Sequence, residues 1–199
     1  MPNFDPLTYR YSSRRNVVYA KNGVCCTSVP LGAQVGLDVL KNGGNAVDAA
    51  VAMAGAMPLL EPTGNGLGSD CFALVWIEKE KKLYGLNASG VAPMALSADE
   101  VRAKGFAAVP EEGWIPTMVP GAPTGWAALN RRFGTKPLSE LFAPAISYAE
   151  NGYAVPVNVG KLWAHDSRRI ARVMAQDPAP YEYWWKSFMK PDGSPYRAG

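Results

Sequence analysis

Histidine is almost absent from this chain: His165 is the only one in 199 residues. That scarcity argues against a metal site built on histidines. It also gives little support to a Ser-His-Asp or Cys-His arrangement, which needs a histidine held by an acid. His165 precedes Asp166 on a stretch that reads as helix, with Trp163 and Arg168 nearby, so a surface or half-buried helix position is expected. Cysteine is scarce as well. There are three, two of them adjacent as Cys25-Cys26, and no spacing among them suits zinc. They read as free thiols in a reducing cytosol. A nucleophilic Cys25 or Cys26 would need an activating base or a free terminal amine, and nothing in Gly23-Val24 points to cleavage there.

Long apolar runs are missing too. None approaches the roughly 18 residues that span a bilayer, and Met1 to Arg15 has no apolar segment of a secretory signal. The expectation is a soluble, cytoplasmic chain with no membrane partner. Charge of one sign is not concentrated either. Lys and Arg total 20 against 17 Asp and Glu, for a net charge of +3, and the basic residues are scattered. This is not the footprint of a nucleic-acid binder. Glu111-Glu112 and Asp99-Glu100 read as solvated, which leaves no carboxylate pair for glycoside hydrolysis.

What is present is globular: 48% hydrophobic and 19% charged residues. Residues 1–15 read as an irregular arm, and residues 16–199 as a single domain, of ordinary size or part of a larger one. Val17 to Ala20 and Val24 to Ser28 are β-like runs flanking Lys21-Asn22-Gly23, which suggests a hairpin. Pro30 suits the first turn of a helix carrying Leu31, Val35, Val39 and Leu40, closed by Gly43-Gly44. Asn45 is placed to cap the next helix, with Asp48 in its first turn. That helix, 46–57, is built of Ala, Val, Met and Gly and reads as buried on nearly all sides.

Gly64-Asn65-Gly66-Leu67-Gly68-Ser69 is irregular by composition. It does not match G-x-G-x-x-G and has no Lys-Ser/Thr of a P-loop. Two readings stay open: a tight turn before a buried strand, or a backbone-lined wall of an active site. Cys71 to Ile77 is a β run apolar on both faces, so cover on both is expected. Glu78 to Lys82 is a turn, and Leu83 to Leu86 returns. Ser97 to Glu100 is a capping box, 109–125 is proline-rich and irregular, and helices follow at 126–133, 138–151 and 157–175. The fold class is α+β, helix-rich after a central hairpin, without a βαβ rhythm. From these residues alone no nucleophile stands beside a base.

Several segments in unbroken order resemble the gamma-glutamyltranspeptidase family, over roughly residues 16–165. They are Gly32 to Ala52, Glu61-Pro62 through Gly64 to Phe72, Ala92-Pro93, Val119-Pro120-Gly121-Ala122-Pro123-Thr124-Gly125-Trp126, Phe133-Gly134-Thr135, and Leu138 to Gly152. The resemblance implies part of an αββα four-layer sandwich of the N-terminal nucleophile hydrolase type, and 16–199 as the N-terminal portion of a large subunit. It implies an amidohydrolase or acyltransferase acting on a small-molecule amide, with no cofactor and no metal. The nucleophile would be the N-terminal threonine of a partner small subunit outside this chain, so no catalytic residue is expected here.

One substrate-binding position should fall inside the chain. Family members that use glutathione carry an arginine three residues before the Ala-Pro pair, and it holds the substrate carboxylate. A bidentate guanidinium suits that role. Here that position is Ser89, and the usually acidic next position is Gly90. Ser69-Asp70-Cys71 likewise stands where a run of glycines is common. Ser89 and Gly90 are therefore the candidate substrate-binding residues, with an altered acyl specificity expected. The alternative is a catalytically silent homologue or a stand-alone binding domain.

Overall fold

The computed structural model describes residues 17–199, and the expected arm at 1–15 lies outside them. Two helices come first, α1 (Pro30–Lys41) and α2 (Ala46–Leu60). They are followed by an antiparallel pair, β1 (Cys71–Ile77) and β2 (Lys82–Ala88). Five helices complete the order: α3 (Ala98–Ala103), α4 (Ala122–Phe133), α5 (Leu138–Asn151), α6 (Val157–Met174) and α7 (Glu182–Phe188). The observed ends of β1 and α5 are those read from the sequence. Helix α2 runs one turn further than expected, through Pro58, and α4 starts earlier, at Ala122.

Helix α2 is the hub. It packs on α1, α4 and α5, while α4 also leans on both strands. Val51, Ala52, Ala56, Met57 and Leu60 are buried there, joined by Trp126, Leu129, Leu141 and Ala145 from α4 and α5. Small side chains make this approach possible. A Cβ on Gly55 would lie 2.5 Å from the Phe142 ring, and one on Gly36 would lie 2.7 Å from the Met53 sulfur. Leu60 and Leu141 are fully buried, the kind of position where truncation to Ala costs about 2–5 kcal/mol.

The start of α2 is fixed by its own cap. Asn45 Oδ1 accepts from the N–H groups of Val47 and Asp48, and Asp48 Oδ2 accepts from Asn45 N–H at 2.9 Å. Asp48 does more than complement the helix dipole. It is fully buried and reaches the turn between α4 and α5. There it accepts from Thr135 N–H (2.9 Å), Lys136 N–H (3.2 Å) and the Thr135 hydroxyl (2.5 Å). Asn45 Nδ2 donates to Phe133 O from the same cap. Burial pushes the Asp48 carboxyl up. The bonds from the Thr135 hydroxyl and the three N–H groups outweigh that effect and hold it below its ordinary value.

Two expectations are corrected. No hairpin forms across 17–28: the segment is irregular, bridges to no strand among the described residues, and leaves Val18, Tyr19 and Val24 exposed. Its side chains attach to the helices instead. Ser28 Oγ donates to Glu61 Oε2 at 2.6 Å, the Thr27 hydroxyl points at the Met57 sulfur, and Val29 is buried at the head of α1.

The second correction concerns β1, which is covered on one face only. Cys71, Ala73 and Val75 pack toward the core. Phe72, Leu74 and Trp76 on the other face are 62%, 79% and 54% exposed. The apolar composition of both faces was legible, but the described residues provide a layer for just one.

Replacing Asp48 tests the α2 anchor. Asp48→Ala leaves three N–H groups and a hydroxyl without their acceptor. At about 1–3 kcal/mol for each buried orphan, the full-length protein is expected to lose about 3 kcal/mol or more in denaturant unfolding. The pH dependence has a fixed sign. A carboxyl whose folded value is depressed stabilises fully above its unfolded value, near pH 4, and loses that contribution as pH falls through the folded value. The stability gap between the parent and Asp48→Asn should therefore narrow below about pH 4. An unchanged gap at about pH 3 would contradict this role.

Candidate functional site

The end of β2 turns sharply into an open groove of about 650 Å³. Asn87 starts the turn by accepting Ser89 N–H on its side-chain oxygen at 3.0 Å. The Ser89 hydroxyl then donates to Gly90 O at 3.2 Å. Gly90 has φ +80°, a conformation that disfavours any side chain, and a Cβ there would lie 2.1 Å from Val119 O. Opposite stands the proline-rich segment: Val119 N–H donates to Val91 O at 3.0 Å. Gly121 lies so close that a Cβ on it would meet Ala88 O at 2.0 Å. The groove is thus a seam where two stretches of main chain touch.

Among the described residues no charged side chain lines this groove. Its polar side chains are Asn87, Ser89 and Thr124, among apolar neighbours such as Leu86, Val91 and Val119. The Thr124 hydroxyl is already donated to Gly121 O at 2.7 Å. Helix α4 begins at the groove, but Gly121 and Ala122 give their N–H groups to Ser69 O at 3.1 and 2.9 Å. Pro123 has none to give. The helix start therefore offers an incoming anion little, and the groove suits a neutral group held by shape and one or two neutral hydrogen bonds.

Of the residues singled out by sequence, Ser89 and Gly90 both line the groove. The glycine-rich loop does not. It lies behind the groove, tied in through the Ser69 carbonyl and closed on itself by the Ser69 hydroxyl donating to Gly66 O at 2.6 Å. His165 is exposed on α6, with Asp166 Oδ1 3.4 Å away. Burial pushes the thiols of Cys25 and Cys71 up, and the Asp70 charge adds to this at Cys71, so neither is a ready thiolate. Among the described residues no group of three or more His, Cys, Asp or Glu side chains converges as metal ligands. None of their helices is long and apolar enough to cross a membrane.

Glu112 corrects the solvated reading: it is half-buried and paired with Arg169 at 2.5 Å. Sequence reasoning also gave no site role to Val119, Gly121 or Thr124, which form the far wall. The signal was the Val-Pro-Gly-Ala-Pro-Thr-Gly run, which reads as irregular chain until Gly90 shows what it faces.

The chain is similar in sequence and fold to known proteins. The family model described as Gamma-glutamyltranspeptidase matches residues 32–199, and the chain belongs to that family. Glutathione hydrolase 3 of Arabidopsis thaliana is 34% identical over 163 residues, which is 82% of this chain and 25% of that protein. A cephalosporin acylase structure from Bacillus halodurans superposes with a TM-score of 0.87 at 52% identity, covering 98% of this chain and 36% of that one. The gamma-glutamyltranspeptidase of Helicobacter pylori gives a TM-score of 0.81 at 30% identity, covering 92% of this chain and 51% of the other. The fold is thus α+β, of the N-terminal nucleophile hydrolase type. The chain spans only 22–31% of the length of the curated glutathione hydrolases it matches.

The tight seam predicts intolerance of a single methyl group. Gly90→Ala meets both a left-handed backbone and the Val119 carbonyl, and should cost about 2–4 kcal/mol. The readout is the melting temperature of the full-length protein. An unshifted midpoint would mean that the two main-chain stretches are not in contact.

Proposed function

We propose that the full-length protein is an amidohydrolase or acyltransferase in which residues 16–199 form the first part of the large subunit. In this reading the nucleophile is an N-terminal threonine carried by the remainder of the protein, and its own amine acts as base. The threonine oxygen bonds to the amide carbonyl carbon and the amine leaves with a proton. Water or a second amine then takes the acyl group from the enzyme. The bare face of Phe72, Leu74 and Trp76 supports a further layer supplied by that remainder. The three free thiols suit a reducing compartment, in keeping with a cytoplasmic setting.

The observation that carries the substrate reading is the uncharged wall at Ser89 and Gly90. A gamma-glutamyl group brings an α-carboxylate, and a guanidinium would meet it with two charge-assisted bonds. Ser89 supplies at most one neutral bond from a hydroxyl that already donates to Gly90 O. The missing contact is worth about 2–4 kcal/mol of binding. The preferred substrate is therefore an amide whose acyl group lacks that carboxylate. The relative at 52% identity is a cephalosporin acylase, which supports an acyl amide without committing the acyl group to gamma-glutamyl.

The test compares hydrolysis of gamma-glutamyl p-nitroanilide with that of neutral acyl p-nitroanilides by the full-length protein. The neutral acyl series should be preferred. Ser89→Arg should raise kcat/KM on the gamma-glutamyl compound about tenfold or more. No gain in a folded variant would overturn the role of Ser89. No hydrolysis of any amide would favour a silent homologue.

A further inference from the structure

The far wall of the groove hangs from a long irregular stretch with little to hold it. Residues 104–121 contain no helix or strand, and Val109, Trp114 and Val119 are exposed. A segment of this kind opens at small free-energy cost unless something ties it down. Its end is held by Val119 N–H on Val91 O and Gly121 N–H on Ser69 O, and its middle by two contacts from far along the chain. Glu112 Oε1 meets Arg169 Nη1 of α6 at 2.5 Å, across 57 residues. Next to it, Gly113 N–H donates to the Tyr181 hydroxyl at 2.9 Å, across 68 residues. A single turn, closed by Thr117 N–H on Trp114 O, then leads to Val119, which bonds Val91 and abuts Gly90.

We propose that Arg169 and Tyr181 are positioning residues for the groove. They hold Glu112-Gly113, and through it they fix the Val119–Gly121 wall against Ser89 and Gly90. The two ties differ in kind, one an ion pair and one a main-chain N–H captured by a phenol, yet they grip adjacent residues. Neither touches the groove, since its lining stops at Val119 on this side. The pair is only half-buried, with side-chain exposures of 32% for Glu112 and 45% for Arg169. A tie of that strength keeps a segment in register without locking it. The position of residues 112–113 is accordingly set by α6 and the short 3-10 turn Ala179–Tyr181 that follows it, and it is passed to the groove wall through residues 114–119. Substrate affinity then responds to residues that never meet the substrate. This consequence for affinity rests on the amidohydrolase reading; the mechanical coupling does not.

Amide hydrogen exchange on the full-length protein tests the coupling directly. Tyr181→Phe and Arg169→Glu should each speed exchange at Gly113, Val119 and Gly121 about fivefold, and about twentyfold together. Exchange at buried positions of α2 should stay as it was. The reversed pair Glu112→Arg with Arg169→Glu should restore most of the protection, which separates a specific tie from general loosening. In amide hydrolysis the same variants should raise KM about fivefold and leave kcat within about twofold. Faster exchange confined to 112–118, with Val119 and Gly121 unchanged, would overturn the proposal. So would unchanged KM in an active enzyme whose Val119 exchange had risen. If the protein hydrolyses no amide, the exchange result alone decides the coupling while the enzymatic reading falls separately.

Discussion

A buried carboxylate sets the frame on which everything else is hung. Asp48 sits at the head of the central helix with no access to water and with hydrogen bonds from three N–H groups and a hydroxyl. A charge in that position is tolerable only because its acceptors are filled. Those donors belong to two places, the cap of α2 and the turn joining α4 to α5. The carboxylate thus fixes where α4 ends relative to α2. Because α4 starts at the groove, the same anchor indirectly places Gly121 and Thr124.

The groove depends on this frame and on backbone contact. The hairpin brings Ser89 and Gly90 to one side, α4 brings Gly121 to the other, and Ser69 O joins the glycine-rich loop to the start of α4. The glycine-rich loop therefore supports the groove from behind and forms none of its lining. This separates two roles that a glycine-rich sequence leaves ambiguous. Glycines at 90 and 121 allow contact between two stretches of main chain, whereas a Cβ at 64 or 68 would meet nothing.

Much of the fold was legible because its signals were local. Asn45 with Asp48, and Ser97 with Glu100, announced capped helices, and the structure shows both boxes. The run Cys71 to Ile77 announced a strand with the correct ends. Failures came where the deciding contact was distant. The β-like residues 17–28 pair with no strand among the described residues and attach to the helices by side chains instead, so local propensity was overridden. Glu112 looked solvated because its partner lies 57 residues away. Asp48 was read as a first-turn acid, and only the folded chain shows that its bonds extend to Thr135 and Lys136. Ser89 and Gly90 were singled out through family resemblance and line the candidate groove, while its opposing wall needed coordinates.

The seam at Gly90 and Gly121 also bears on how such a groove can evolve. Two of its walls are peptide backbone, whose shape is the same whatever side chains surround it. Neither glycine can be exchanged without forcing the two stretches apart, so sequence drift there is closed off. Variation is left to the few side chains that project into the space, Asn87, Ser89 and Thr124 among them. Asn87 is itself constrained by the turn it makes. The groove therefore leaves few positions to vary, and Ser89 and Thr124 among them each also donate to a neighbouring carbonyl.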